Sequence, residues 1–183
     1  MKKADIDFII KQGEGQFIEF KESLDKSLAK EITAFSNAQG GRIFLGISDK
    51  GECKGIRITN EIKAQIHDIT HNCDPPIKVS IETISNLLII SVPEGENKPY
   101  SCSHGFYLRN GASAPKMSRD EILDFAISEG RIRFDEQINE NFKFETDVDE
   151  KKLDEYLKEA KLTIGLDTES TLINLGVAKR NKS

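Results

Sequence analysis

The sequence predicts an α+β fold, a single mixed or antiparallel sheet flanked by helices. Three observations carry that prediction. Segments of helical period alternate with segments of strand period through residues 1–134. Ile43 to Ile47 is apolar on both faces, as a strand in the middle of its sheet should be. Two further strand-like runs, Ile77 to Ile84 and Leu87 to Val92, are separated only by "SN", short enough for a hairpin.

Taken in chain order, Ala4 to Lys11 places Ile6, Ile9 and Ile10 at helical spacing, and Gly13 follows as a stop. Gln16 to Lys21 alternates: Ile18 and Phe20 face one way, Phe17, Glu19 and Lys21 the other. Ser27 to Gln39 is a helix with Leu28, Ile32 and Phe35 on its stripe, ended by "NAQGG". After the central strand, "DKGE" turns the chain, and Cys53 to Ile56 reads as a short strand. Thr59 to His71 is a helix with Thr59 as its cap, broken by "DPP". The hairpin strands follow, then the loop "PEGENKP" and a strand at Phe106 to Arg109. Ser118 and Glu121 form a capping box at the start of "MSRDEILDFAI". The domain is expected to close near Arg133.

Residues 135–183 differ. "FDEQINENFKFETDVDE" reads as an acidic, extended link, and Asp149 to Ala160 and Glu169 to Leu175 as short helices. The end of the chain reads as the start of a longer region, so the expected organisation is a domain at 1–134 and a linker with short helices at 135–183.

Composition narrows the function classes. The chain has 183 residues, is 31% charged and carries a net charge of -5. The acidity is uneven: the first 134 residues are nearly neutral, so a basic face there remains compatible with the acidic total. No apolar run is long enough for a membrane helix, and Asp5 and Asp7 interrupt the N-terminal apolar stretch, so no membrane partner is expected and the protein is read as cytoplasmic. Cys53, Cys73 and Cys102 show no paired spacing, which argues against a disulfide framework. His67, His71 and Cys73 cluster as "HDITHNC": His67 and His71 at i, i+4 share a helix face, a metal-ligand geometry, but with no further ligands beside them the stretch reads first as a solvated helix end. No phosphate-binding loop of the GxxxxGK[ST] kind is present.

One stretch suits nucleic acid on its own chemistry. In "FYLRNGASAPKMSR", Tyr107 can stack on a base and Arg109 can fork onto a phosphate. Lys116 and Arg119 stand near a helix N-terminus, where anions are favoured. The competing reading is that Arg109 pairs with a local acid and holds the loop. In "NAQGG", Asn37, Gly40 and Gly41 either admit a ligand or simply turn a helix into a strand.

Four ordered blocks, "EGQFIEFKES", "EITAFSNAQGGRIFLGISDKGECKGI", "DPPI" and "GFYLRNGASAPKMSRDEI", together resemble the Schlafen AlbA_2 domain family over about Gly13 to Phe134. The resemblance implies an AlbA_2-like fold and a nucleic-acid-binding role, with DNA first, inside a transcriptional regulator or a RecG-like, helicase-related protein. For the vertebrate Schlafen members it also implies a ribonuclease acting on structured RNA, with three acids that bind a divalent metal. The matching positions here are Glu14, Glu19 and Asp49, with Lys21 as the accompanying lysine and Mg²⁺ or Mn²⁺ as the cofactor of that alternative. Carboxylates suit such hard cations. Without the resemblance, Glu19 and Lys21 are a same-face pair worth under ~1 kcal/mol on an exposed edge, and Asp49 merely opens a turn.

Three functions are therefore expected, in this order. The first is a nucleic-acid-binding module with DNA or RNA as partner, using Arg109, Tyr107, Lys116, Arg119 and Lys21. The second is the metal-dependent ribonuclease using Glu14, Glu19, Asp49 and Lys21. The third is an interaction or homo-oligomerisation domain.

Overall fold

The computed structural model describes residues 3–131, 139, 141–162 and 167–179. The chain divides into two compact units, Met1–Ile132 and Arg133–Ser183.

The first unit is built on a four-stranded mixed sheet in the order β1-β2-β4-β3. β1 (Ile18–Lys21) runs parallel to β2 (Gly41–Leu45), and β4 (Leu87–Val92) is antiparallel to both β2 and β3 (Ser80–Ile84). The parallel pair needs a crossover, and α2 (Leu28–Asn37) supplies it. The expected central strand is central, bonded on one side to β1 and on the other to β4. Its alternation sets up two cores. Ile43 and Leu45 join Leu88, Ile90 and Val92 under Leu28, Ile32 and Phe35 of α2 and Ile66 of α3 (Asn60–His71). Phe44, with Phe20, Leu87 and Ile89, packs on Ile6 of α1 (Lys3–Gln12). Phe20 and Phe44 meet edge to face, with ring centroids 6.1 Å apart.

The local signals explain most boundaries. Gly13 takes φ +77 after α1, the left-handed stop that a helix end favours. Thr59 caps α3 by accepting from the Ile62 N–H. Ser118 and Glu121 form the complete capping box of α4 (Arg119–Ser128). At the end of α2, a Cβ on Gly40 would lie 2.7 Å from the Val92 carbonyl oxygen, and Gly40 has φ +75. This pair of glycines turns the chain against protein, not against a ligand.

Two strand expectations are corrected. Cys53 to Ile56 makes only a single bridge, Ile47 to Cys53. The amides of Lys54 and Gly55 both donate to the Gly46 carbonyl, so no ladder forms. The expected strand at Phe106 to Arg109 begins earlier and stops sooner: β5 (Ser101–Cys102) pairs with β6 (Gly105–Phe106). Beyond β6 the chain leaves the ribbon, and the Arg109 amide donates to the Ala34 carbonyl of α2.

In the second unit, α5 (Phe144–Asp147) falls within the stretch read as an extended link. α6 (Glu150–Glu159) is capped by Asp149, and α7 (Thr168–Asn174) by Asp167. Residues 133–138 and 140, which include the expected domain boundary, and residues 180–183 lie outside the described residues.

Replacing Gly40 by Ala forces a side chain into left-handed backbone and against Val92. The expected loss is more than about 1 kcal/mol, read as a lower urea midpoint at unchanged slope.

Candidate functional site

β1 is short and lies at the edge of the sheet. Its Phe17 and Lys21 carbonyls accept from Arg42 and Gly46 on the β2 side. The alternate residues, Ile18 and Phe20, therefore turn their backbone groups outward. Two side chains close that free edge. Glu14 Oε1 accepts from the Phe20 N–H at 3.0 Å. The Arg109 guanidinium donates from Nη2 to the Ile18 carbonyl at 2.9 Å and to the Gly15 carbonyl at 2.8 Å. Its Nε also donates to Gly15, at 3.2 Å.

The other end of the fork meets acid. Arg109 Nη1 lies 2.8 Å from Glu19 Oε2 and 3.1 Å from Glu31 Oε2. The contact with Glu31 is a hydrogen bond. The contact with Glu19 is a bare ion pair, because Glu19 Oε2 is buried and accepts no hydrogen bond. The guanidinium lies over the Phe35 ring, 4.6 Å from its centroid. Two lysines complete the cluster: Lys21 Nζ is 3.3 Å from Glu19 Oε1, and Lys30 Nζ is 3.7 Å from Glu31 Oε1.

Arg109 is thus not on a phosphate-facing surface, as the first expectation had it. Its side chain is 1% exposed, and its donors are directed at backbone carbonyls and carboxylates of its own domain. It holds the loop, the competing reading, and its partners lie as far as 94 residues away in sequence. Glu19 is likewise not on a solvated face: it is 6% exposed.

The acids perturb one another. Burial pushes the Glu14 carboxyl above its usual range, opposed by the Phe20 N–H, and the charges of Glu19 and Asp49 push it further up. Burial also raises Glu31, with the Glu19 charge adding to it. The other two acids matched to the ribonuclease pattern, Glu19 and Asp49, therefore lie within electrostatic reach of Glu14.

Their fit to a divalent metal is a separate matter. The donor chemistry suits Mg²⁺ or Mn²⁺. The arrangement does not: Glu14 is committed to the β1 backbone, Glu19 to Arg109 and Lys21, and Asp49 stands exposed in the turn beyond β2. Among the described residues, no three His, Cys, Asp or Glu side chains come together to hold a metal ion.

The remaining basic residues separate into two places. Tyr107 and Lys116 face each other across an antiparallel bridge. The flanking bonds, Leu108 N–H to Pro115 and Met117 N–H to Phe106, make them a non-hydrogen-bonded pair, the type with the closer side chains. Lys30 Nζ lies 5.8 Å from the Tyr107 ring centroid. The Tyr107 carbonyl is held by Asn37 Nδ2 at 2.9 Å, and the same amide donates to Tyr100. Asn37 is buried in this role and presents no amide to a ligand. Arg119 stands apart, exposed and paired with Asp120 at 3.1 Å.

Glu31 and Lys30 are absent from the sequence-derived site. Glu31 had a legible signal, because it stands three residues after Leu28 and four before Phe35, on the apolar stripe of its helix. An acid there needs a buried partner.

A mixed four-stranded sheet whose edge strand is closed by a buried arginine defines a small α+β domain, and comparison places it. Residues 14–118 match the Schlafen, AlbA_2 family, more than half of the 183 residues. The chain belongs to that family. Among solved structures, the DIP2311 protein from Corynebacterium diphtheriae is similar at 19% identity and a TM-score of 0.48, covering 88% of this chain and 32% of that one. This chain therefore spans about a third of that protein's length. The N-terminal domain of a RecG-related protein from Nitrosomonas europaea is similar at 22% identity and a TM-score of 0.42, covering 64% of this chain and 87% of that one. No curated protein matches the chain.

The raised carboxyl of Glu31 sets a pH dependence. A folded-state value above 4.5 means that the folded chain retains a proton the unfolded chain has released. That contribution to stability is complete below about pH 4.5 and is lost as pH rises through the raised value. The stability of the wild type relative to Glu31→Gln should therefore decline across that window in urea titrations. A difference that is constant with pH would contradict the assignment.

Proposed function

We propose that residues 1–132 form a nucleic-acid-binding module whose contact surface is Tyr107 flanked by Lys116 and Lys30. The observation that carries this reading is the Tyr107 ring with the Lys30 ammonium 5.8 Å from its centroid and Lys116 opposite it across the antiparallel bridge. Bases stack on such a ring, and lysines neutralise the adjoining phosphates. Membership of the AlbA_2 family supports the same reading. Lys116 is exposed, while Lys30 and Tyr107 are partly so, and Tyr107 is anchored from behind by Asn37. Arg119 adds a rim charge and Lys21 a more distant one.

DNA is proposed as the first ligand and RNA as the second, within a larger cytoplasmic regulator or helicase-related protein. Among the described residues, no helix is long and apolar enough to cross a membrane. The ribonuclease alternative is less well supported, because Glu14 and Glu19 are engaged in holding β1 and Asp49 stands exposed beyond β2. Self-association is the remaining alternative.

Fluorescence anisotropy with labelled single- and double-stranded DNA and RNA at low salt tests the proposal. Affinity should fall with salt, and Tyr107→Ala should cost about 1–3 kcal/mol. Lys116→Ala should reduce the salt slope by about one. Absence of binding, or binding indifferent to both substitutions, would sink the reading and leave light scattering to test self-association.

A further inference from the structure

The spacing of the cysteines gives no hint of a pair, yet the fold brings two of them together. Asp74 and Ser101 exchange both backbone hydrogen bonds, N–H to carbonyl at 2.9 and 2.7 Å. This is a closely bonded antiparallel pair, and the next opposed positions beyond it are residues 73 and 102. Asp74–Ser101 is an isolated bridge; were it to continue as a ladder, residues 73 and 102 would stand about 4.5 Å apart, Cα to Cα, inside the span of about 4.4–6.8 Å that a disulfide bridges. The Cys102 thiol is close enough to Cys73 to act on it electrostatically. Both side chains pack on the same core: Cys73 is a buried member of the cluster beneath α2, and Cys102 lies against it. Both thiols are free, and neither takes part in the proposed binding surface.

We propose that Cys73 and Cys102 form a reversible disulfide when the protein meets a hydroperoxide. Their environments divide the roles. Cys73 is 4% exposed, its thiol donates to the Ile69 carbonyl at 3.4 Å, and it touches Thr33 Oγ1 at 3.8 Å. Burial raises its pKa and keeps it protonated. Cys102 is partly exposed, in the β5–β6 hairpin, and is the first to react. Its thiolate attacks one peroxide oxygen and the O–O bond breaks. The products are a sulfenic acid and, with the thiol's proton, an alcohol or water. The Cys73 sulfur then attacks the sulfenic sulfur, the S–O bond breaks, and the departing hydroxide takes the Cys73 proton as water. The two thiols are oxidised and the peroxide is reduced. The bridge joins the segment after α3 to the β5–β6 hairpin, which leads directly to Tyr107.

The test uses the full chain with Cys53→Ser, because Cys53 is exposed and free to cross-link molecules. After treatment with hydrogen peroxide, non-reducing peptide mapping should find the Cys73 and Cys102 peptides joined. Their summed mass should be lower by two hydrogens, and dithiothreitol should restore them. The additional substitution Cys102→Ser should abolish the product and leave Cys73 reduced. Cys102 carried on to sulfinic acid beside an unmodified Cys73 would overturn the proposal. So would a bridge that forms only in urea, since native geometry would then contribute nothing.

Discussion

The Arg109 guanidinium ties together parts of the chain that nothing else joins so directly. It donates to two carbonyls on the free side of β1 and meets the carboxylates of Glu19 in the sheet and Glu31 in the crossover helix. An isolated buried charge is expensive, and one removed from its partner costs about 3–5 kcal/mol. Here the cation is shared by two acids, stacked on Phe35, and bonded to the backbone carbonyls of Gly15 and Ile18. A lysine cannot take its place, because only the planar fork reaches both sides at once.

That constraint redistributes the functional residues. Two of the three acids read as candidate metal ligands serve first to seat β1: Glu14 by taking the Phe20 N–H, Glu19 by neutralising Arg109. The surface left for a charged polymer lies nearby, at Tyr107, Lys116 and Lys30. Its base is rigid, because Asn37 bonds the carbonyls of Tyr100 and Tyr107 and the Arg109 amide is bonded to α2. A contact surface mounted in this way keeps its geometry between free and bound states. Lys30 links the two regions, with its ammonium near both Glu31 and the Tyr107 ring.

Much of the fold was legible because its signals are local. The caps at Thr59 and Ser118, the stop at Gly13 and the doubly apolar β2 each depend on a few neighbouring residues. A mixed or antiparallel sheet followed from the order of those segments, and the parallel β1–β2 pair makes it mixed. The Cys53 segment was misjudged because its amides converge on one carbonyl, a backbone event that side-chain alternation does not encode. The site was harder to read for a different reason. A charged residue on a strand or loop is usually exposed, and Arg109 and Glu19 are buried through their pairing with each other and through further partners of Arg109 78 to 94 residues away. Glu31 alone carried a local clue, its place on an apolar stripe. The meeting of Cys73 and Cys102 likewise depends on the Asp74–Ser101 pairing, which no spacing rule contains.

The central claim is that Arg109 and Glu31 stabilise the fold as one unit. A double-mutant cycle of Arg109→Met and Glu31→Gln, read by urea unfolding at neutral pH, measures it most directly. Without the guanidinium, Glu31 and Glu19 are two buried like charges, so Glu31→Gln should stabilise the Arg109→Met protein relative to its effect on the wild type. The account predicts a coupling of about 0.5–3 kcal/mol. Effects that add to within about 0.5 kcal/mol would contradict it.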